Sequence, residues 1–390
     1  MKCETKKTIY LDNNATTLLD PQVLEVMLPY LTNKFGNPSS FHLFGQETSD
    51  ALENARNTVA DILGATNKEI FFTSGGTESN NWILKGIATA NQNKGNHIIT
   101  TAVEHHAVLD TCKYLEKNGF QVTYLPVDGT GLVSLDALKS SLTDQTILVS
   151  IIAANNEVGT LQPLKEIGEF LKSISDNSTV RRKIFFHSDT IQLLGKMPFN
   201  IKNLHLDAAS FSAHKIYGPK GIGAAYIKLG TKIDRLLHGG YQEKNRRAGT
   251  ENVGGIVGFG KACEIIKLYD NKLKQKLYQG LLDNIPDMSL NGSLENSLPN
   301  TLNLSFKHVE GEGIVLLLNA QGIAVSSGSA CTSGLIETSH VLKAMNTDII
   351  CARGSIRFSL GKNNTEQEIS QVIKILPPII KRLRKMSPLL

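Results

Sequence analysis

Glu69-Ile70-Phe71-Phe72-Thr73-Ser74-Gly75-Gly76-Thr77-Glu78 holds one unit of the architecture: an apolar run, a glycine turn and the start of a helix. Residues 69–73 are too few for a helix and read as a short buried strand. The alternation extends outward from here. Residues 51–63 have helical spacing of apolar side chains. Residues 97–100, 121–125, 147–152 and 183–187 read as strands, and 107–115, 136–142 and 164–174 as helices, with Asn118-Gly119 stopping the first of these. Strands alternating with helices predict a mostly parallel sheet covered on both faces. Ligands of such sheets sit beyond the carboxyl ends of the strands, and the polar clusters of this sequence fall there.

Past residue 255 the period changes. Residues 256–278 predict one long helix, Asn291-Gly292 a turn, 301–306 a strand, 313–321 a helix, and 323–326 and 355–360 short strands. A last helix begins near Thr365, where Glu368 can complete a capping box, and Pro377-Pro378 should kink or break it. Thr8-Ile9-Tyr10-Leu11 reads as a strand. The expected organisation is a large domain over 15–260 and a smaller α+β domain from 1–14 and 261–390, which suits a chain of 390 residues.

Composition narrows the function classes. The formal charge of +5, from 41 basic and 36 acidic residues, is too mild to argue for nucleic acid. The basic run Lys381-Arg382-Leu383-Arg384-Lys385 reads as a solvated helix end, where the dipole favours cations. No stretch approaches the ~20 apolar residues of a membrane helix. Met1-Lys2-Cys3-Glu4-Thr5-Lys6-Lys7 has no apolar signal core, so a cytoplasmic protein with no membrane partner is expected. Cys3, Cys112, Cys263, Cys331 and Cys351 form no C-x-x-C pair and no metal spacing. Any of them that matters should matter as a thiol, and Cys112 and Cys351 read as packing residues.

Several segments carry candidate chemistry, each with a plainer reading beside it. The apolar strand 206–211 delivers Ser212-Ala213-His214-Lys215. A lysine at such a strand end, with its ammonium desolvated, favours the neutral amine and Schiff-base chemistry; the plainer reading is a lysine snorkelling to solvent. Gly75-Gly76-Thr77 can bring backbone N–H groups to a phosphate at a helix start, or can be a simple turn. Asp189 can pair with a ring cation or cap a helix, and Gln192 follows it. Asn155-Asn156-Glu157 can supply amide hydrogen bonds. His105 can stack on a flat ring or move a proton, although adjacent histidines more often lie on the surface. Arg357 alternates with Ile356 and Phe358, and can clamp a carboxylate with two parallel hydrogen bonds. Ser326-Ser327-Gly328-Ser329-Ala330-Cys331-Thr332-Ser333-Gly334 surrounds one thiol with Ser, Thr and Gly, a composition that predicts a mobile loop.

Together these segments resemble the cysteine desulfurases of the NifS/IscS type, from Tyr10 to about Leu390. The resemblance rests on Leu11-Asp12-Asn13-Asn14-Ala15-Thr16-Thr17, Phe35-Gly36-Asn37-Pro38-Ser39-Ser40, Thr73 to Ser79, Glu104-His105, Asn155-Asn156-Glu157, Ser212-Ala213-His214-Lys215, Arg247-Ala248-Gly249-Thr250 and Ser326 to Ser333. It implies a fold type I pyridoxal-phosphate enzyme, α/β with a mostly parallel seven-stranded sheet, forming a homodimer. Lys215 then resembles the Schiff-base lysine, and Gly76, Thr77, Ser212 and His214 the phosphate cradle, with Thr250 reaching the phosphate from the other subunit. Asp189 resembles the partner of the pyridine nitrogen, Gln192 faces the ring hydroxyl, and His105 stacks on the ring and is a second proton carrier. Asn156, beside the cofactor, and Arg357 resemble the contacts of the substrate carboxylate. Cys331 resembles the nucleophile that takes sulfur from L-cysteine as a persulfide, leaving alanine, and could transiently ligate an iron–sulfur cluster; no resident metal is implied.

The implied partner is a sulfur-acceptor protein such as an iron–sulfur scaffold, or a route to thiolation. A selenocysteine lyase, another enzyme of the same fold such as an aminotransferase, and a non-catalytic scaffold are the alternatives. The serine- and glycine-rich cysteine loop argues against an aminotransferase, and the joint presence of Lys215, Asp189, His105 and Cys331 argues against a scaffold. Three departures stand out. Thr190-Ile191 follows Asp189 where a small residue is usual, which predicts a more crowded ring face. Pro377-Pro378 interrupts the last helix. The chain stops at Ser387-Pro388-Leu389-Leu390 without the longer tail some relatives use, which argues against the usual scaffold docking.

Overall fold

The computed structural model describes residues 8–177, 183–327 and 338–387. Its strands are β1 (Ile9–Tyr10), β2 (Ile70–Thr73), β3 (His97–Thr101), β4 (Gln121–Leu125), β5 (Thr146–Ser150), β6 (Phe185–Asp189), β7 (Ala208–Ser212), β8 (Gly223–Ile227), β9 (Met288–Asn291), β10 (Thr301–Phe306), β11 (Ile323–Ala324), β12 (Ser326–Ser327) and β13 (Ser355–Ser359). Seven of them form one sheet in the order β2-β8-β7-β6-β5-β3-β4. All neighbours are parallel except β8, which runs against both β2 and β7. Two reversals cancel, so β2, β3, β5, β6 and β7 all point the same way.

Adjacent residues of these strands enter opposite cores, as a sheet buried on both faces requires. Phe71, Ile98, Leu148, Phe185, Ala208 and Ala225 pack with Trp82, Ile83 and Ile87 of the helix Gly76–Asn91. Phe72, Ile99, Val149, Phe186, Ala209 and Tyr226 pack on the other face with Val59, Ile167 and Phe259. The fold is α/β with a mostly parallel seven-stranded sheet, as expected.

A four-stranded antiparallel sheet, β12-β13-β10-β9, stands beside it. It shares a core with β1 and the helix Glu366–Met386: Ile9, Leu11, Leu304, Phe306, Ile356, Phe358, Val372, Leu376 and Ile380. Buried Val341, Leu342 and Met345, by contrast, belong to the core of the large sheet.

The tail departs from expectation in two places: its last helix is not broken, and 256–278 is not one helix. The helix Glu366–Met386 runs through Pro377 and Pro378 without ending, behind the expected Thr365–Glu368 capping box. Pro378 frees the carbonyl of Lys374, an exposed position, while buried Val372, Leu376 and Ile380 pin both halves to one core. Val253–Glu264 ends, and Lys272–Leu282 begins anew. Between them Tyr269 bonds to Tyr217 at 2.9 Å, and Asp270 accepts from the Lys272 N–H, a local turn that competes with helix.

The edge strand β2 is fastened by a buried ion pair. Arg56 reaches Glu243 at 2.7 and 2.9 Å, and Glu243 also accepts from the Phe72 N–H at 2.8 Å. Glu243, Lys244 and Asn245 all have positive φ (46°, 55° and 64°), a conformation costly for residues with a Cβ. The pair holds that strained turn against the sheet. Glu243→Ala leaves the Arg56 guanidinium buried without its main partner, so stability should fall by about 3–5 kcal/mol. Urea unfolding checks this: the midpoint should drop with an unchanged slope.

Candidate active site

The common direction of five strands brings five carboxyl ends to one place. The turn after β2 supplies Gly76 and Thr77, the loop after β3 His105, and the segment after β5 Ile152 and Asn156. The end of β6 supplies Asp189, Ile191 and Gln192; β7 supplies Ser212, His214 and Lys215. Asn14 and Ala15, and Arg357 on β13, close the opposite wall of a cavity of about 270 Å³. All of the sequence-predicted site residues except Thr250 and Cys331 line this one space.

Lys215 ends the single 3-10 turn Ala213–Lys215 that follows β7. Its Nζ donates to the carbonyls of Asn14 (2.6 Å) and Ala15 (2.7 Å). Burial chiefly, then the positive field of Arg357, lowers its pKa to about 8; Asp12 and Asp189 oppose the shift. The amine is therefore partly neutral near neutral pH, the state a carbonyl-directed nucleophile needs.

Asp189 is buried at the end of β6. Its carboxylate accepts from Asn80 Nδ2 (2.7 Å) and from the Ile191 N–H (3.1 Å). Burial raises its pKa, which means a cationic partner in the cavity would be strongly favoured. His105 caps the helix His106–Glu116: its Nδ1 accepts from the Ala107 N–H at 3.0 Å. The neutral ring thus carries its proton on Nε2. Desolvation pushes the pKa of His105 down, so the neutral ring is favoured.

The helix Gly76–Asn91 starts after Gly75 with no side chain capping its first N–H groups. Such a start takes an anion readily. A Cβ on Gly76 would lie 2.1 Å from Ile191 Cδ1 and 3.7 Å from Ser212 Cβ, so this glycine keeps the space open. The bulk expected to crowd a ring face is turned toward Gly76. His214, bonded to Thr16 Oγ1 at 3.1 Å, has its pKa lowered to about 4 by burial, Lys215 and Lys220, and is a neutral hydrogen-bonding ring at physiological pH.

Arg357 is nearly buried rather than exposed on an edge. It donates to Asp12 Oδ1 (2.8 Å) and to the Asn156 carbonyl (3.0 Å), while its buried Nε finds no partner among the described residues. These groups fit pyridoxal phosphate, the cofactor that the resemblance implies. A partly neutral lysine suits its aldehyde, the buried Asp189 its ring cation, and the uncapped helix start its phosphate.

Thr250 stands elsewhere in this chain, exposed in a second cleft with Ser74, Gly221 and Arg247. Cys331 and most of its loop lie outside the described residues, but both flanks are placed. Ser326 pairs with Arg357 across β12 and β13. On the far side His340 bonds to the Glu104 carbonyl at 2.9 Å, and Ser339 to Glu157 Oε2 at 2.5 Å.

The sequence reading assigned no role to Asp12, Asn14, Asn80 or Lys196. Asn14 lies in a quoted motif but acts largely through its backbone carbonyl, which no residue type announces. Lys196 stands one helical turn after Gln192, the only local hint of their contact.

Trapping of a small aldehyde on Lys215 by reduction, read by peptide mass spectrometry in cofactor-free protein, should rise with a midpoint near pH 8. Below that pH the amine is protonated and does not attack. A midpoint near the ordinary 10.5 would show that the amine is not desolvated.

The family described as aminotransferase class-V matches residues 9–372. A curated protein named cysteine desulfurase IscS, from Methanosarcina thermophila, is 51% identical over 390 residues, covering 98% of this chain and 94% of its own. A solved NifS-like protein superposes with a TM-score of 0.89 at 44% identity, covering 97% of this chain and 100% of that one. A second structure, SspA in complex with cysteine, gives a TM-score of 0.81 at 35% identity over 90% of this chain and 99% of its own.

Proposed function

The chain belongs to the aminotransferase class-V family and is a pyridoxal-phosphate-dependent cysteine desulfurase of the NifS/IscS type; on that footing we propose that it converts L-cysteine to L-alanine by passing the sulfur to Cys331 as a persulfide. The observation that carries the reading is the Lys215 amine, held partly neutral at a strand end in the cavity that also holds Asp189 and an uncapped helix start.

When bound, pyridoxal phosphate supplies an aldehyde for imine exchange and a ring that withdraws electrons from the substrate α-carbon. The residues divide the remaining work. Asp189 pairs with the ring cation, His105 stacks on the ring, and Gln192 faces its hydroxyl. Gly76, Thr77, Ser212 and His214 hold the phosphate. Asn156 and Arg357 orient the substrate carboxylate; Arg357 has an unpartnered buried N–H to offer, although Asp12 competes for its fork. Lys215 takes the α-proton, with His105 as second carrier. Cys331, as thiolate, attacks the substrate sulfur. A sulfur–sulfur bond forms, the β-carbon–sulfur bond breaks, and its electron pair stays with the β-carbon, which is protonated on the way to alanine. The flanks of the Cys331 loop support this role, because one pairs with Arg357 and the other binds the backbone beside His105.

The working unit is a homodimer in which Thr250 of each chain reaches the phosphate site of the other. Exposed Phe35, Phe41, Leu43 and Phe44 support it, with Phe41 96% exposed in the single chain and Phe35 stacked on Phe44; exposed apolar groups gathered in one segment suit an interface. The division into 15–260 and 1–14 with 261–390 is supported by the separate core of β1, β9, β10 and β13. The persulfide passes to an acceptor protein for iron–sulfur assembly or thiolation. Among the described residues no helix is long and apolar enough to cross a membrane, in keeping with a cytoplasmic site of action.

Product counting tests this. Protein loaded with pyridoxal phosphate and given L-cysteine with a reductant should yield alanine and sulfide in equal amounts. Lys215→Ala should abolish both. Cys331→Ala should still bind cofactor and cysteine yet release little sulfide; normal sulfide from that variant would remove Cys331 from the acceptor role.

A further inference from the structure

Lys196 is a lysine at 2% exposure, directly behind the cavity wall. It has no carboxylate partner among the described residues. Its Nζ donates to Asn14 Oδ1 at 2.7 Å and to Gln192 Oε1. A neutral amine has two N–H groups for those two acceptors, whereas an ammonium would bury a third donor unmatched. Burial, together with the charges of Lys215 and Arg357, pushes its pKa well below the ordinary lysine value. Lys196 is thus a buried double donor whose positive charge is disfavoured beside Lys215 and Arg357.

Its bond to Gln192 has a directional consequence. An amide side chain can present either its oxygen or its nitrogen to a ligand, and the two ends have nearly the same shape. Gln192 Nε2 donates to the Asn14 carbonyl at 3.0 Å, the same carbonyl that receives Lys215 Nζ. With Oε1 turned to Lys196, the free donor of Gln192 is its second N–H. Turning the amide over would set Oε1 against the Asn14 carbonyl, two acceptors with no proton between them, and would remove the oxygen that receives Lys196.

Resting on the functional reading above, we infer that Lys196 is a positioning residue: it fixes the Gln192 amide so that an N–H, not a carbonyl, faces the ring oxygen of the bound cofactor. A donor to that oxygen stabilises its negative charge and so favours loss of the proton from the Lys215–cofactor linkage. The other titratable groups facing Lys215 are Arg357, Asp12, Asp189, His105 and His214, and none is replaced by the substitution.

The test is the pH titration of the visible absorbance of the holoenzyme. Lys196→Met should raise the midpoint by about half to one pH unit, the worth of one hydrogen bond. Gln192→Leu should raise it similarly, and the double variant should move no further than the larger single shift. Lys196→Arg, which keeps N–H donors, should not raise it. Lys196→Leu replaces the methionine variant if that does not fold, with the same expectation. An unchanged midpoint in the apolar variants, a rise with arginine, or additive shifts in the double variant would overturn the inference. A wild-type protein that takes up pyridoxal phosphate with no visible band would instead overturn the functional reading beneath it.

Discussion

Placing a lysine where it holds its proton loosely and can react is the constraint around which this molecule is built. A surface amine holds its proton far above neutral pH, so Lys215 must be desolvated, and desolvation must stop short of collapse into an ion pair. The structure meets both conditions. Backbone carbonyls of Asn14 and Ala15, not a carboxylate, receive the amine, while Arg357 lies near enough to disfavour its charge. Asp189 and Asp12 pull in the opposite direction but bond elsewhere, to Asn80 and Arg357. The result is an intermediate pKa rather than an extreme one.

Sheet direction makes this possible. A lysine at the end of β7 meets an aspartate at the end of β6 because the two strands are parallel neighbours, with Asp189 in register with Ser210. Had β2 run parallel to β8, the helix start at Gly76 would lie at the other end of the sheet. The double reversal returns it to the side where Ser212 and His214 wait.

Much of this was legible in the sequence, for local reasons. The pattern of buried strand followed by Ser212-Ala213-His214-Lys215 describes its own placement, and so does Thr73-Ser74-Gly75-Gly76. What escaped depends on partners far along the chain. Asn14 bonds to Gln192, Lys196, Asn300 and Thr301, none within 170 residues of it. β8, Gly-Ala-Ala-Tyr-Ile, opens on glycine and two alanines, which leaves only Tyr226 and Ile227 to announce a strand. The helix predicted through 265–271 failed because Ile265 and Ile266 continue an apolar period while Tyr269 is held by a distant tyrosine. The prolines of the last helix failed the other way: burial of Leu376 and Ile380 on a shared core outweighs two lost backbone bonds. In each case tertiary packing overrode a local rule that was itself sound.

The attachment of the first strand also has a bearing on when the enzyme can exist. Ile9 and Leu11 bond to Gly322 and Ala324, and Asn13 and Asn14 bond to Ser359. The carbonyls that receive the Lys215 amine are therefore set by residues made near the end of synthesis. A ribosome-bound chain that has emerged through β8 contains Lys215, Asp189 and the Gly76 turn, and Thr17 can already meet His214 and Tyr217, yet residues 9–13 still lack the strands they pair with. Domains fold as they emerge, so the large sheet can form early, but residues 9–14 are fixed on their far side only once β11 and β13 follow. The wall that Asn14 and Arg357 build opposite the lysine is thereby the last part of the cavity to be completed.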